Sequence, residues 1–401
     1  MILFCGLAGV IQIGIAPGAW SAYDKQHLTA PFGYLANAML APFARWDSAW
    51  YITVAEHWYG HVRERMPFFP LYPALMHVLG WVTRSDLIAG VLISLVSMAA
   101  ALVLLQRLVR LDFDEEVATT TVLLIAFCPV SFFLSAVYTE SLFLALSVGT
   151  IYAARRERWL LCGVLGFLAA ISRNGGIALL VPTAIIYFYG PRSAPLTRWG
   201  RRELRGPKRL LPRHRLRRSA LWLLLIPAGL ASYLVYLWIS YGDPLAPFRA
   251  ESIWYRHSTL PWTTIWHGAR QAWNGVVQLF QGPGGPAQVP DYAQSVISAA
   301  LQDVYLWLFL VLGVAGLFAV CWSMGAAYGL YTLVLLVLAL SDPVSLQPLA
   351  SLPRYELIIF PLFIWGARLL SRWRLTLFAV PALAVLLGVF TLEFATWRWV
   401  A

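Results

Sequence analysis

The sequence carries little charge for its length. Only 12% of its 401 residues are Asp, Glu, Lys or Arg, whereas a soluble domain usually carries about 25%. Hydrophobic residues make up 60% of the chain, and the mean hydropathy is +0.67. This balance excludes an ordinary cytoplasmic enzyme, a disordered chain and a fibrous protein. It predicts an all-α polytopic membrane protein.

Cysteine is scarce as well. The four cysteines, at positions 5, 128, 162 and 321, lie in apolar stretches without metal-ligand spacing. Neither a disulfide framework nor a zinc site is therefore predicted. The sequence also lacks a Walker loop, the glycine pattern of dinucleotide-binding folds and a GxSxG motif, which are the common signatures of nucleotide binding and serine catalysis.

Long apolar runs recur along the whole chain. A membrane span needs roughly 20 apolar residues, and the hydrophobic pattern predicts about 11 transmembrane helices in a single integral-membrane domain, 1–401. The predicted spans are 2–21, 87–106, 117–136, 138–154, 159–172, 174–190, 219–241, 301–321, 324–341, 355–370 and 375–396. Two long loops, 22–86 and 242–300, are rich in Trp, Tyr and Pro, which indicates interfacial helices on the membrane surface.

Basic residues concentrate in the loop 192–218, which holds eleven Lys or Arg and one acid. Such a loop between apolar spans is typical of the cytoplasmic side. No nucleic-acid partner is expected, because no folded reading module accompanies the charge. With the N-terminus inside, the inner side carries +13 and the outer side −2. This orientation places both long loops, 22–86 and 242–300, outside the membrane.

An outward-facing site has no supply of ATP or nucleotide sugar from the cytoplasm. Any group-transfer donor therefore has to arrive in the membrane, and a lipid-linked sugar meets that condition.

The first outer loop contains an acid among aromatic residues, Asp47 beside Trp46, Trp50 and Tyr51. In a helix, Trp50 and Tyr51 share a face with Asp47. A partly desolvated carboxylate in such a place suits a general base. The alternative is a helix N-cap with tryptophan anchors at the membrane interface. Spacing alone favours neither.

Further polar clusters follow on the predicted outer side. Glu140, between two apolar runs, is a functional candidate because an acid at a span end is costly; the alternative is an N-cap. Arg173 and Arg354 could each hold a phosphate, although snorkelling to lipid headgroups is the commoner role of such residues. Asp243 precedes a proline, and a simple turn explains it equally well. The segment 67–73, with three prolines, predicts either a rigid aromatic turn beside a lipid groove or an ordinary connection.

These clusters together resemble a known family. The matching segments are 45–51 (RWDSAWY), 68–73 (FFPLYP), 129–135 with 138–143 (YTESLF), 173–175 (RNG), 242–246 (GDPLA), 354–355 (RY) and 360–362 (FPL). They occur in order, all on the predicted outer side, in outer loops or toward the outer ends of spans. Together they resemble the signature of the GPI mannosyltransferase II (PIG-V) family of the GT-C superfamily. The chain looks like a compact prokaryotic-type member.

The resemblance implies a GT-C-like enzyme that transfers mannose, with inversion, from a polyprenyl-phosphate donor to an acceptor hydroxyl. It implies that Asp47 is the catalytic base. The residues expected to bind the donor phosphate or sugar are Arg45, Tyr138, Glu140, Arg173, Arg354 and Tyr355. The residues expected at the lipid groove are Trp46, Trp50, Tyr51, Phe68, Phe69 and Tyr72, and Asn174 and Asp243 are further motif residues. No cofactor and no metal are expected, because a lipid monophosphate has no diphosphate to clamp.

The acceptor stays open among a glycolipid, a glycan and a protein. The expected location is the bacterial cytoplasmic membrane, with the active site facing outside and the lipid bilayer as surroundings. Three other interpretations remain: a transporter or flippase of a lipid-linked substrate, a GT-C enzyme with a different lipid-linked sugar, and a non-catalytic partner in a glycosylation complex. A transporter would place its ionisable residues at mid-membrane depth, whereas here they collect at predicted outer ends.

Overall fold

The computed structural model describes residues 2–16, 18–19, 23–24, 26–192, 212–282, 285–286 and 295–400. Within these ranges the chain is helical, and its single β-type contact is an isolated bridge between Arg256 and Val344. The predicted all-α class is confirmed at that level. The predicted basic loop lies mostly outside the described residues.

The α-helices are numbered here in chain order. They are α1 Ile2–Gln12, α2 Tyr34–Leu40, α3 Ser48–His57, α4 Leu71–Thr83, α5 Asp86–Val109, α6 Glu115–Ala126, α7 Glu140–Arg155, α8 Trp159–Ser172, α9 Leu180–Phe188, α10 Leu225–Tyr241, α11 Ala246–Arg249, α12 Pro261–Gln281, α13 Val296–Met324, α14 Ala326–Leu340, α15 Leu352–Leu357, α16 Phe360–Arg372 and α17 Thr376–Ala395. Short 3-10 turns precede several of them, at Ser131–Leu134, Asn174–Leu179, Arg218–Leu224 and Ala250–Trp254 among others.

Four helices in the described ranges are long and apolar enough to cross a membrane: Asp86–Val109, Arg218–Tyr241, Ile297–Met324 and Thr376–Ala395. Shorter apolar helices are Ile2–Gln12, Trp159–Ser172, Asn174–Phe188 and Ala326–Leu340. A multi-pass membrane protein is thereby supported, and the count of eleven spans stays a prediction.

The predicted span 117–136 requires a correction. Its helix α6 ends at Ala126, and a 3-10 turn follows at Ser131–Leu134. Pro129 explains the early end, because proline disfavours helical backbone at the residue before it and offers no N–H for an intrahelical bond. The break predicted near Arg173 is present, since α8 ends at Ser172 and Arg173 has extended backbone.

Helix α7 occupies the centre of the bundle. Nearly all of its residues are buried, and it packs against α5 and α8. At its C-terminal end, Arg155 makes a bidentate ion pair with Asp112, with N–O distances of 2.6 and 2.8 Å. At its N-terminal end lies the buried carboxylate of Glu140. A negative charge at the helix N-terminus and a positive one at the C-terminus both match the helix dipole.

Both long loops contain helices, as the sequence predicts. The loop 22–86 holds α2, α3 and α4, and the loop 242–300 holds α12. Helix α12 buries Gly268, Ala272 and Gly275 and exposes the aromatic side chains of Trp262, Trp266, Trp273 and Phe280. A helix with one tightly packed face and one aromatic face is typical of an interfacial helix.

Candidate active site

A cavity of about 520 Å³ lies where several parts of the chain meet. Most of its wall comes from the start of α3, the segment 67–69, the break after α8, the segment 247–256, and residues 335–358 from α14 to α15. Charged side chains and aromatic rings share the lining. The cavity therefore brings together Asp47, Arg173 and Arg354 from three separate motifs.

Asp47 is held at the cavity by an unusual turn. Trp46 has a left-handed backbone with φ +55°, a conformation that costs a non-glycine residue about 1–2 kcal/mol. The Tyr138 hydroxyl spans this turn: it accepts a hydrogen bond from the Asp47 N–H at 3.2 Å and donates one to the Arg45 carbonyl at 3.1 Å. The turn aims the Asp47 carboxylate into the cavity, where its side chain is 32% exposed.

The Asp47 carboxylate does not cap its helix. Asp47 occupies the N-cap position of α3, yet its side chain makes no capping hydrogen bond. Instead Oδ2 accepts a hydrogen bond from Arg354 Nη1 at 2.6 Å. The sequence left two roles open for Asp47, a helix cap and a general base. The structure lacks the capping hydrogen bond, and the carboxylate faces a cavity instead.

An ion-pair network extends behind Asp47. Arg354 Nε lies 3.3 Å from Glu140 Oε1, and Arg173 Nη1 donates to the same oxygen at 2.9 Å. Glu140 is almost fully buried and lies behind the cavity wall. Two arginines are thus balanced by two carboxylates. Such pairing is what allows charged groups to be buried together.

Tyr355 lies at the centre of three guanidinium groups. The distances from its ring centroid to the guanidinium carbons are 5.0 Å for Arg173, 5.5 Å for Arg354 and 5.9 Å for Arg256. Cations within about 6 Å of an aromatic ring are attracted to its face. Three positive groups therefore converge on one side of the cavity.

Aromatic rings form much of the remaining wall. The ring of Trp50 stacks on that of Phe68, with 5.9 Å between ring centroids, and meets the ring of Trp254 edge-on, with 5.2 Å between centroids. The centroid distances are 5.0 Å for Tyr51 and Phe68 and 5.1 Å for Trp46 and Trp399. Phe69 and Asn174 also line the cavity, and the Asn174 side chain accepts a hydrogen bond from the Gly175 N–H.

Five residues predicted for the site do not line the cavity: Glu140, which lies behind its wall as described above, and four others. Arg45 is fully buried and donates through Nε to the Ala395 carbonyl at 2.8 Å, so it anchors the turn to the end of α17. Tyr138 acts behind the wall as described. Tyr72 is buried in the α4–α5 contact, where its hydroxyl donates to the Gly90 carbonyl. Asp243 lies outside the cavity lining, and its Oδ1 is 3.0 Å from Arg249 Nη1. Each of these four residues makes its contacts within the protein, outside the cavity lining.

The cavity lining also contains three charged residues that the sequence did not predict for the site: Glu251, Arg256 and Asp342. Arg256 Nη1 donates to the Asp342 carbonyl at 2.8 Å, and its Nε lies 3.6 Å from Glu251 Oε2. Burial raises the pKa of the Glu251 carboxyl above its ordinary value, and the charge of Arg256 lowers it in part. None of the three stands in a motif, so no local signal marked them. The neighbouring His257 is exposed.

The described residues hold no group of three or more His, Cys, Asp and Glu placed to bind a metal ion. The expected absence of a cofactor stays a prediction.

Comparison with known proteins finds a family model that matches part of this chain, including part of the site. The model of the mannosyltransferase (PIG-V) family matches residues 26–181. The resemblance indicated by the motifs is confirmed. The matched PIG-V region includes Asp47, Glu140 and Arg173, whereas Arg256 and Arg354 lie beyond it.

Two relatives of this chain are named as GPI mannosyltransferases. The chain is 30% identical over 149 residues to a GPI mannosyltransferase 2 of Yarrowia lipolytica, covering 36% of this chain and 41% of that protein. It is 30% identical over 190 residues to a GPI alpha-1,6-mannosyltransferase 2 of Rattus norvegicus, and this match covers 44% of this chain and 38% of that protein. The chain thus spans about two fifths of the length of these relatives.

Two solved structures of an archaeal oligosaccharyltransferase from Archaeoglobus fulgidus align with the whole chain at 12% identity. One is AglB in complex with an inhibitory peptide and a dolichol-phosphate, with a TM-score of 0.42 and 56% of that chain covered. The other is tethered to an acceptor peptide, with a TM-score of 0.45 and 55% covered. The PIG-V assignment therefore rests on the sequence matches.

Proposed function

We propose that this protein is an inverting glycosyltransferase that moves mannose from a polyprenyl-phosphate donor to an acceptor hydroxyl. We place the reaction at the outer face of the cytoplasmic membrane of a bacterium. The observation that carries the proposal is the Asp47 carboxylate, which faces a cavity and is held by Arg354 at 2.6 Å. Its place within the match to mannosyltransferases supports the sugar.

Asp47 is the general base in this proposal. Arg354 engages Oδ2, and no described residue donates a hydrogen bond to Oδ1, so this second oxygen is available to an acceptor. As the acceptor oxygen attacks C1 of the mannose, Asp47 takes the hydroxyl proton. The bond between C1 and the phosphate oxygen breaks, and its electron pair leaves with the polyprenyl phosphate. Attack opposite to the leaving group inverts the configuration at C1.

Arginine charge stabilises the leaving phosphate. Arg173 and Arg354 both line the cavity, and fixed positive groups aimed at developing negative charge lower the transition-state energy. The Tyr355 ring lies between them. Glu140 keeps both guanidinium groups in place from behind the wall.

The apolar part of the cavity receives the lipid. Leu335 and Leu338 of α14 line it together with Phe248 and Ile253, and part of this wall is exposed on the outside of the protein. An isoprenoid chain that arrives from the bilayer can pack against such a surface through van der Waals contacts. Phe68 and Phe69 extend the apolar lining toward Asp47.

The test is transfer from radiolabelled polyprenyl-phosphate mannose in membranes that contain the wild type or Asp47→Asn. Lipids, glycans and proteins are analysed as acceptors, with and without EDTA because no metal is expected. Loss of a general base lowers the rate by about 10²- to 10⁴-fold. Glu56→Gln is the matched control, because Glu56 lies on the same helix and outside the cavity lining.

Label incorporated by the wild type and by Glu56→Gln, and lost in Asp47→Asn, supports the proposal and names the acceptor class. Full transfer by a folded Asp47→Asn protein removes the base assignment. Transfer from a different lipid-linked sugar alone overturns mannose and keeps the reaction type.

A further inference from the structure

Arg256 is the third arginine beside Tyr355, and it reaches the cavity from the second long loop. Its guanidinium group is fixed by two neutral partners, the Asp342 carbonyl at 2.8 Å and the Ser351 hydroxyl at 3.3 Å. Backbone hydrogen bonds hold the loop itself, since Ser345 N–H donates to the Tyr255 carbonyl and Thr259 N–H to the Ser341 carbonyl. The position of Arg256 is therefore set before any ligand binds.

The charge of Arg256 is balanced differently from that of its neighbours. Arg173 and Arg354 engage Glu140 and Asp47 at 2.6 to 3.3 Å. Among the residues that the structure describes, the nearest carboxylate oxygen to Arg256 belongs to Glu251, at 3.6 Å, which is beyond the length of a charge-assisted hydrogen bond. Glu251 lines the same cavity and is partly exposed to it. An anion with better geometry can replace this loose partner.

We infer that Arg256 completes a three-arginine site around Tyr355 that binds the phosphate of a lipid-linked ligand, with Glu251 as the group that the phosphate displaces. The inference rests on the proposed function, because it takes the ligand to be the donor and the polyprenyl phosphate left after transfer. It assigns a phosphate contact to Arg256, which lies outside the residues 26–181 that the family model matches.

Displacement of Glu251 has a chemical route. Burial raises the pKa of its carboxyl, so uptake of a proton when a phosphate takes its place costs less than for an exposed acid. Arg256 keeps its bonds to Asp342 and Ser351 and presents its remaining N–H groups to phosphate oxygens. An arginine fork matches that geometry.

The experiment measures binding of radiolabelled polyprenyl phosphate to the full chain in phosphatidylcholine nanodiscs. The variants are Arg256→Gln and, as matched control, Arg249→Gln. Arg249 lies in the same loop, pairs with Asp243, and is 65% exposed outside the cavity lining. Loss of a charge-assisted contact predicts about 10- to 100-fold weaker binding by Arg256→Gln, and unchanged binding by Arg249→Gln.

Two competitors identify the source of the phosphate. Unlabelled polyprenol, which lacks the phosphate, should compete far less than polyprenyl phosphate. Phosphatidic acid should compete weakly if the site selects the isoprenoid phosphate. Equal competition by phosphatidic acid would reveal an ordinary headgroup site and overturn the inference.

The outcomes separate this inference from the proposed function. If the wild type binds polyprenyl phosphate no better than polyprenol, the lipid-phosphate donor itself is wrong. If the wild type prefers the phosphate and Arg256→Gln binds equally well, the donor class stands and the assignment of Arg256 fails.

A second variant decides the matter if Arg256→Gln does not fold. Glu251→Gln removes the competing carboxylate and leaves Arg256 in place, so we expect polyprenyl phosphate to bind several-fold more tightly. Unchanged or weaker binding by folded Glu251→Gln protein contradicts the displacement.

Discussion

At the scale of single residues, the catalytic candidates were recognisable because they stand in motifs. Asp47, Glu140, Arg173 and Arg354 were each singled out by an unusual polar position in apolar sequence, and the structure brings all four into one network. A motif marks a residue without stating which contacts its side chain makes. Arg45 and Tyr138, expected at the donor, instead hold the turn that aims Asp47.

Tyr138→Phe tests this positioning role. Removal of the hydroxyl leaves the Asp47 N–H and the Arg45 carbonyl without their bridge, and unpaired buried polar groups cost about 1–3 kcal/mol. We expect kcat to fall about tenfold or more while the donor KM changes little, since Tyr138 does not line the cavity. Steady-state transfer kinetics measure both quantities.

The control for that variant is Tyr152→Phe, near the far end of α7, which should leave kcat unchanged. A folded Tyr138→Phe protein with wild-type kcat would show that the bridge does not position the base. A rise in KM alone would return Tyr138 to a role in donor binding.

At the scale of elements, glycine allows α8 and α10 to pack closely. A Cβ on Gly229 of α10 would clash with the Phe167 carbonyl oxygen of α8. A Cβ on Gly163 of α8 would clash with the Trp222 carbonyl oxygen, in the 3-10 turn that leads into α10. Small residues at such contacts let membrane helices approach each other. The contact matters for the site because α8 ends at Ser172, directly before Arg173.

Gly229→Ala should destabilise the protein, because the added methyl group meets backbone that has to move. Overpacking of this kind costs typically about 1–3 kcal/mol, and we expect a lower midpoint of thermal unfolding in detergent. Gly366→Ala is the control: its Cβ would meet Leu124 at 3.4 Å, an ordinary contact, so better helix propensity should leave stability equal or higher. Equal midpoints for wild type and Gly229→Ala would refute the tight packing.

At the scale of the whole molecule, sidedness is the property on which the proposed function depends. The positive charge of the predicted inner loops argues that the cavity faces outward. The two ends of α7 carry the two buried ion-pair systems, Glu140 with its arginines and Arg155 with Asp112. The charged network beside the cavity and the Arg155–Asp112 pair thus lie at opposite ends of α7.

Cysteine labelling measures the orientation. In a variant without its four native cysteines, we expect Arg270→Cys on α12 to react with a membrane-impermeant thiol reagent in intact cells. Arg156→Cys, after α7, should react only in permeabilised cells. Both side chains are exposed on the protein, so differences in labelling report the membrane barrier. The reverse pattern would place the active site on the cytoplasmic side and leave its geometry intact.

The amino-acid sequence by itself determined the membrane class, the helical character and which charged residues are candidates for the site, because hydropathy and rare polar residues are local properties. It misjudged the end of α6, where one proline overrides an apolar run. Only the tertiary structure decided which charges meet. Asp47 and Arg354 pair across 307 positions, and Arg256 joins Ser351 across 95. Tyr72 and Asp243 stay outside the cavity although they stand in motifs. Contacts over such separations depend on how whole helices pack, and no local pattern encodes that.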